Sequence, residues 1–244
     1  MIRTQRLTKI FRSPKKGTVT ALSGVDLHCA QGEIYALLGP NGAGKTTALR
    51  ILSTLMTPTG GEAFVGGYSV RTQKADIRRL IGVVSYETGV YERMTPREIG
   101  YFFGRLNGMA DLAIRDNLDH IFALLRMEDF VDQRTETFSS GMKQKTVIMR
   151  ALVTDPEVLV FDEPTSGLDL LTAKNVTDYV RLLSAQGKTI LFSTHILWEA
   201  EKLAHHIGII DRGALVVEGT LAELRTRTRH TDMEDIFFSL VKAA

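Results

Sequence analysis

The chain has one cysteine in 244 residues, Cys29, so no disulfide can form within it and the fold rests on its apolar core. A chain of this length can bury a sizeable core unaided. Val25-Asp26-Leu27-His28-Cys29-Ala30 alternates as a strand does. Cys29 is therefore expected as a small buried side chain with neither metal-ligand nor nucleophile spacing, and a free thiol suits a reducing compartment. Long apolar runs are missing as well. No stretch approaches the ~18–20 residues that a membrane helix needs, and Met1 to Arg12 carries polar breaks where a signal peptide would be apolar. Any membrane-spanning part is expected on another chain. Charge of one sign does not dominate, with 30 basic residues against 28 acidic and a formal net charge of +2. This leaves out the electrostatic footprint of a nucleic-acid binder. Internal repeats, low-complexity tracts and Gly/Ser linkers are absent too, and a single unit over 1–244 is expected.

What is present alternates between strand and helix. Val19 to Leu22 and Val25 to Leu27 read as edge strands separated by a turn at Ser23-Gly24. Ile34-Tyr35-Ala36-Leu37-Leu38 is a continuous apolar run, the mark of a strand buried on both faces. A helix follows with Ala48, Ile51, Leu52 and Leu55 on one face, ending before a turn at Pro58-Thr59-Gly60-Gly61. Short strands resume through Phe64-Val65 and Ile81 to Val84. From about Tyr86 to Asp155 the period becomes helical: Thr95-Pro96-Arg97-Glu98 is a capping box, and Leu118, Ile121, Phe122 and Leu125 form an i, i+3, i+4, i+7 stripe. The α/β alternation returns with strands at Val158 to Phe161, Thr189 to Phe192 and Ile207 to Ile210. A helix carrying Val176, Tyr179, Val180 and Leu183 lies among them. The expected division is 1–85 with 156–219 for an α/β core and β edge, 86–155 for an inserted helical lobe, and 220–244 for a helical tail.

Gly39-Pro40-Asn41-Gly42-Ala43-Gly44-Lys45-Thr46 fits G-x-x-x-x-G-K-[ST] between a buried strand and a helix, the context of a phosphate-binding loop. Its backbone N–H groups, with the helix N-terminus, are expected to hold the β- and γ-phosphates of ATP. Lys45 adds a cation, the Thr46 hydroxyl ligates Mg²⁺, and Thr47 follows as a further phosphate contact. Val158-Leu159-Val160-Phe161-Asp162-Glu163 sets two acids at the C-terminal edge of a buried strand. Asp162 is expected to orient Mg²⁺, and Glu163 to take a proton from, or polarise, the water attacking the γ-phosphate.

With these motifs in this order the chain resembles the ABC ATPase family, from about Met1 to Gly219. The resemblance implies a P-loop NTPase, RecA-like α/β core with an antiparallel β edge subdomain and an inserted helical subdomain. Phe138-Ser139-Ser140-Gly141-Met142 resembles the signature motif, departing from Leu-Ser-Gly-Gly-Gln but keeping Ser139 and Gly141, which in the family reach the ATP of the opposite subunit. Ser166-Gly167-Leu168-Asp169 resembles the D-loop, which brings Asp169 to the nucleotide interface. Ser193-Thr194-His195 resembles the switch histidine, with His195 on the γ-phosphate. Phe11, 28 positions before Gly39, stands where the family stacks an aromatic on adenine, with Val19 as a second contact; a core phenylalanine is the rival reading. The usual Q-loop glutamine falls on Tyr86, so that water replaces it as a Mg²⁺ ligand, Glu87 takes its role, or hydrolysis is slow. His205-His206 lacks the companions a metal site needs.

Gly89 to Glu98, Tyr101 to Gly108 and Phe138 to Lys145 resemble the sodium-extrusion branch of bacterial ABC ATPases. The resemblance implies a dimerising ATPase on the cytoplasmic face of the plasma membrane, homodimeric or paired with a homologue, with a separate permease docked between the lobes near Tyr86 to Arg93. No direct contact with cargo is implied. Export of drugs, peptides or lipids competes with sodium. A soluble ABC ATPase of DNA repair or translation would carry coiled coils, zinc motifs or a second cassette, and none is present; a non-hydrolysing module is opposed by Glu163 and His195.

Overall fold

The structure, a computed structural model, describes residues 1–13, 17–85 and 89–241. Tyr86 and Glu87, on which the Q-loop expectation falls, lie outside the described residues. The chain opens with strands β1 (Ile2–Ser13), β2 (Gly17–Val25), β3 (His28–Cys29) and β4 (Ile34–Leu38), then helix α1 (Lys45–Leu52). Strands β5 (Gly60–Val65) and β6 (Tyr68–Ser69), helix α2 (Lys74–Leu80) and strand β7 (Ile81–Ser85) follow. Next come helices α3 (Pro96–Leu106), α4 (Asp111–Leu125) and α5 (Ser140–Leu152). The α/β alternation then resumes with β8 (Val158–Asp162), α6 (Leu170–Ala185), β9 (Thr189–Thr194), α7 (Leu197–Leu203), β10 (His206–Asp211) and β11 (Ala214–Gly219). Helices α8 (Leu221–Thr228) and α9 (Met233–Leu240) close the chain.

Among the described residues these strands form two sheets. An antiparallel one runs β2-β1-β5-β6 with β3 also on β1, and a six-stranded one runs β11-β10-β4-β9-β8-β7. All pairs of the second are parallel except β10 with β11. Strand β4 shows why its run is apolar throughout. Ile34, Ala36 and Leu38 pack toward the helices α3 to α7, while Tyr35 and Leu37 pack toward α1 and the antiparallel sheet. A strand with core on both faces has no polar position to offer. Truncating one of its leucines costs about 2–5 kcal/mol by the usual cavity arithmetic.

Local chemistry sets the helix ends. At α3 the Thr95 hydroxyl accepts from Glu98 N (3.2 Å) and the Glu98 carboxylate accepts from Thr95 N (2.9 Å), the box that the sequence predicts. The stripe on α4 is buried as expected, with Leu118, Ile121, Phe122 and Leu125 all at 4% exposure or less. Cys29 is buried in β3, and burial pushes its thiol up to about 12, which makes it inert.

Several local expectations are corrected. Ser23-Gly24 is not a turn: β2 runs through it, and Gly24, at φ +68°, sits where the register with β1 slips between Leu7 and Lys9. This is a bulge, and the glycine supplies the left-handed backbone it needs. Helix α1 stops at Leu52, so Leu55 lies beyond it and is 70% exposed. Gly60-Gly61, expected in a turn, instead opens β5; a Cβ on Gly61 would meet Arg6 O at 2.1 Å. The tail holds two helices, parted at Arg229 (φ +61°), and Met233 and Ile236 of the second are buried.

Candidate functional site at the strand C-termini

In space β9 lies between β4 and β8, although β8 precedes it in the chain. Register then levels the ends of the three strands, with Leu38 opposite Thr194 and Asp162 opposite Ser193. The loop Gly39 to Gly44, the acids Asp162 and Glu163, and His195 therefore converge at one sheet edge, the place where open α/β sheets bind ligands.

Two loop glycines are required by space. A Cβ on Gly39 would sit 2.2 Å from Ile210 O, and one on Gly44, at φ +108°, 2.4 Å from Ala21 O. Gly42 (φ +81°) meets nothing, so it serves the turn alone. Gly44 caps α1 without any side-chain bond, which leaves the first N–H groups of that helix, from Lys45, Thr46 and Thr47, for an anion. Not every loop N–H is turned that way: Gly39 N donates to Thr194 O (3.2 Å) and Ala43 N to Pro40 O (3.2 Å). In this conformation those two N–H groups are paired within the protein.

Lys45 is 4% exposed, and its Nζ donates to Gly39 O (2.8 Å) and Pro40 O (3.1 Å) and lies 3.4 Å from Glu163 Oε1. Burial lowers its pKa, against the raising influence of Glu163 and Asp162. Asp162 Oδ1 accepts from both Thr46 Oγ1 (3.1 Å) and Ser193 Oγ (2.6 Å). Glu163 holds a left-handed backbone, φ +49°, fastened by its N–H to Ser193 Oγ (3.0 Å). Its carboxylate stands between Lys45 and His195, whose Nδ1 is also 3.4 Å away. A non-glycine residue at positive φ is sparsely populated and is retained where surroundings over-determine it. The geometry gathers a cation, two carboxylates, two hydroxyls and an imidazole at one sheet edge.

The other expected residues sit apart. Ser139 caps α5, its Oγ accepting from Met142 N (3.3 Å), and no hydrogen bond joins Ser139 or Gly141 to the loop or the two acids among the described residues. Phe138, where the family has leucine, is buried edge-on to Phe130 at 5.3 Å. Asp169 caps α6, accepting from Leu171 N, Thr172 N and Thr172 Oγ1; those bonds, the hydroxyl's first, lower its pKa. Phe11 and Val19 are directly opposed across β1 and β2 and are 39% and 49% exposed, with Lys9 Nζ 5.2 Å from the ring centre. Phe11 is thus no core side chain. His205 Nδ1 accepts from Ile34 N and His206 pairs with Glu33, and no cluster that could hold a metal occurs among the described residues.

Three features escape sequence reading. Ser193 bridges both acids, Gln144 Nε2 donates to Pro164 O (3.1 Å), and the buried Glu199 accepts from two threonines. Glu199 leaves a faint signal in its i+4 spacing to the buried Leu203, an acid on an apolar face. Beside the site, a cleft of about 520 Å³ opens between α1, the 89–91 segment and α5, lined by Leu49, Leu55, Val90, Tyr91 and Arg150 among others.

The model of the family "ABC transporter" matches residues 22–166. The ABC transporter ATP-binding protein NatA of Bacillus subtilis (strain 168) is 38% identical over 226 residues, 92% of each chain. The daunorubicin/doxorubicin resistance ATP-binding protein DrrA of Streptomyces peucetius is 37% identical over 92% of this chain and 67% of its own. A dimeric structure of the ATP-binding cassette MJ0796 in a post-hydrolysis state, bound to ADP and Pi, superposes with a TM-score of 0.80 at 25% identity, covering 90% of this chain and 98% of that one.

Proposed function

This chain belongs to the ABC transporter family as an ATP-binding, ATP-hydrolysing subunit, and we propose that it powers export through a separate membrane-spanning permease, with sodium as the leading cargo. The convergence of Lys45, Asp162, Glu163 and His195 at one sheet edge carries the hydrolytic reading. The N-terminal N–H groups of α1 and the Lys45 ammonium bind the phosphates. Thr46 and Asp162, a hydroxyl and a carboxylate 3.1 Å apart, are hard oxygen donors suited to Mg²⁺, which when bound neutralises phosphate charge. Glu163 accepts the proton of the attacking water while His195, beside it, donates to the γ-phosphate.

Ser139 and Gly141 lie outside their own chain's site, and this supports a dimer in which each signature helix reaches the partner's nucleotide. ATP then completes an interface that ADP, lacking the γ-phosphate, holds less well. Among the described residues no helix is long and apolar enough to cross a membrane. We assign the spanning to the permease, docked in the cleft lined by Leu49, Val90 and Tyr91. On this reading the subunit sits on the cytoplasmic face, with 86–155 as the lobe moved by closure.

Sodium rests on the resemblance of Gly89 to Glu98, Tyr101 to Gly108 and Phe138 to Lys145 to the sodium-extrusion branch; the 37% identity to the daunorubicin/doxorubicin resistance protein DrrA favours drug export as the second reading. Inverted vesicles holding this chain and its permease are expected to take up sodium when ATP is added. Uptake of an anthracycline instead moves the cargo to the drug class, and turnover indifferent to the permease removes the transport reading.

Phe11, exposed beside Val19, forms the adenine platform. Phe11→Ala is expected to weaken ATP binding by about 5- to 150-fold, as loss of roughly 1–3 kcal/mol of base stacking requires. GTP and ATP titrations followed by tryptophan or fluorescent-analogue signals check it, and an unchanged Kd rejects the platform.

A further inference from the structure

Glu199 is a carboxylate only 1% exposed, and no ion pair joins it to a cation among the described residues. Its two oxygens are satisfied by hydroxyls from different segments, the end of β9 and the turn that follows β8. Thr165 Oγ1 donates to Oε1, and Thr194 Oγ1 donates to Oε2 at 2.5 Å while accepting from Ile196 N at 2.9 Å. Burying an acid without a cation is unfavourable, and an apolar side chain of similar volume would serve stability better. The arrangement is therefore better explained by what it positions than by what it adds to the fold.

Both segments end in the hydrolytic site. Thr194 is the last residue of β9 and directly precedes His195; its carbonyl also accepts from Gly39 N of the phosphate loop. Thr165 lies two residues after Glu163, whose left-handed backbone needs outside support. The segment between them is held from its other side, where Gln144 of α5 donates to Pro164 O. Glu163 and His195 thus hang from two segments that meet at one buried carboxylate. From there, contacts continue to the helix that Ser139 caps.

We propose that Glu199 is a positioning residue that staples the Thr194 and Thr165 segments together, setting Glu163 against His195 and tying that pair to the signature helix. This rests on the reading of Glu163 and His195 as the hydrolytic pair. Among the described residues Glu199 has no hydrogen bond or ion pair to Lys45 or the phosphate loop, so its loss is expected to act on turnover with little effect on nucleotide affinity. A misplacement of about 1 Å in such a pair costs on the order of 10²-fold in rate.

The experiment compares the parent, Glu199→Ala, Glu199→Gln and Glu163→Gln in ATP turnover, with ATP binding measured separately by equilibrium titration. The assay uses the full chain assembled with its permease. Loss of turnover in Glu163→Gln alone establishes the hydrolytic reading independently of Glu199. Expected for Glu199→Ala is a kcat lower by about 10- to 100-fold with Kd for ATP within about twofold of the parent. Glu199→Gln, which keeps the shape and re-pairs with hydroxyls that can donate or accept, should recover most of the rate. The proposal is overturned by parent-like turnover in Glu199→Ala, or by an equal loss of kcat and affinity that Glu199→Gln does not repair. Should Glu199→Ala not fold, Thr165→Val, which removes one arm of the staple, must show the same fall in kcat at unchanged Kd.

Discussion

Glu163→Gln is expected to lower ATP turnover by about 10²- to 10⁴-fold, the contribution of a positioned general base, while ATP binding stays within a few-fold of the parent. The substitution is isosteric. Its amide oxygen still accepts from Lys45, 3.4 Å away, and its backbone N–H still donates to Ser193 Oγ, so the left-handed turn at φ +49° keeps its support. What is lost is the ability to take a proton from water. Because ATP then persists where it would have been cleaved, the proposed ATP-completed dimer should accumulate. Size-exclusion chromatography with Mg-ATP reads that accumulation, and phosphate release reads the rate. A variant that hydrolyses ATP like the parent would remove Glu163 from the mechanism.

Lys45→Met separates binding from stability. The ammonium supplies charge-assisted hydrogen bonds to phosphate, worth about 1.5–3 kcal/mol, so ATP affinity should fall by roughly 10- to 150-fold. Stability should move the other way or not at all. Burial holds the folded pKa of Lys45 below its ordinary 10.5, which means that folding disfavours the charged form. A lysine lowered on folding binds more protons when unfolded, so between its folded value and 10.5 the parent gains stability as pH rises. Lys45→Met lacks that gain and lacks the burial cost below it. Thermal unfolding without nucleotide at neutral and alkaline pH, beside an ATP titration, measures both effects. Retained ATP affinity, or a melting temperature well below the parent's at neutral pH, would contradict this account of the residue.

Much of the site was legible because its motifs are local. A buried run ending in Gly39 to Thr46 and another ending in Asp162-Glu163 each state their own geometry: a strand, a turn, and chemistry at the strand's end. The same holds for the capping box at Thr95 and the stripe on α4, whose periods are read within one segment. The sequence misled where two segments had to be compared. Ser23-Gly24 looks like a turn in isolation, yet it is a bulge because β1 pairs on both sides of it. Leu55 continues the helical period of α1, but the helix has already ended at Leu52.

The sequence by itself determined the glycine-rich loop before α1, the two acids at the end of β8, the α/β alternation and the helical stretch between β7 and β8, since each follows from short-range pattern and the conformational limits of glycine and proline. Only the tertiary structure decided that β9 lies between β4 and β8, and with it that Ser193 bridges both acids and His195 meets Glu163. It also decided that Phe11 and Val19 face each other in solvent, and that Glu199 joins Thr165 to Thr194. Apart from Thr194 and Glu199, five residues apart, these partners lie 8 to 34 residues apart in sequence. Sheet order and cross-strand register bring them together, and those are chosen by how whole faces pack, which no single segment's periodicity encodes.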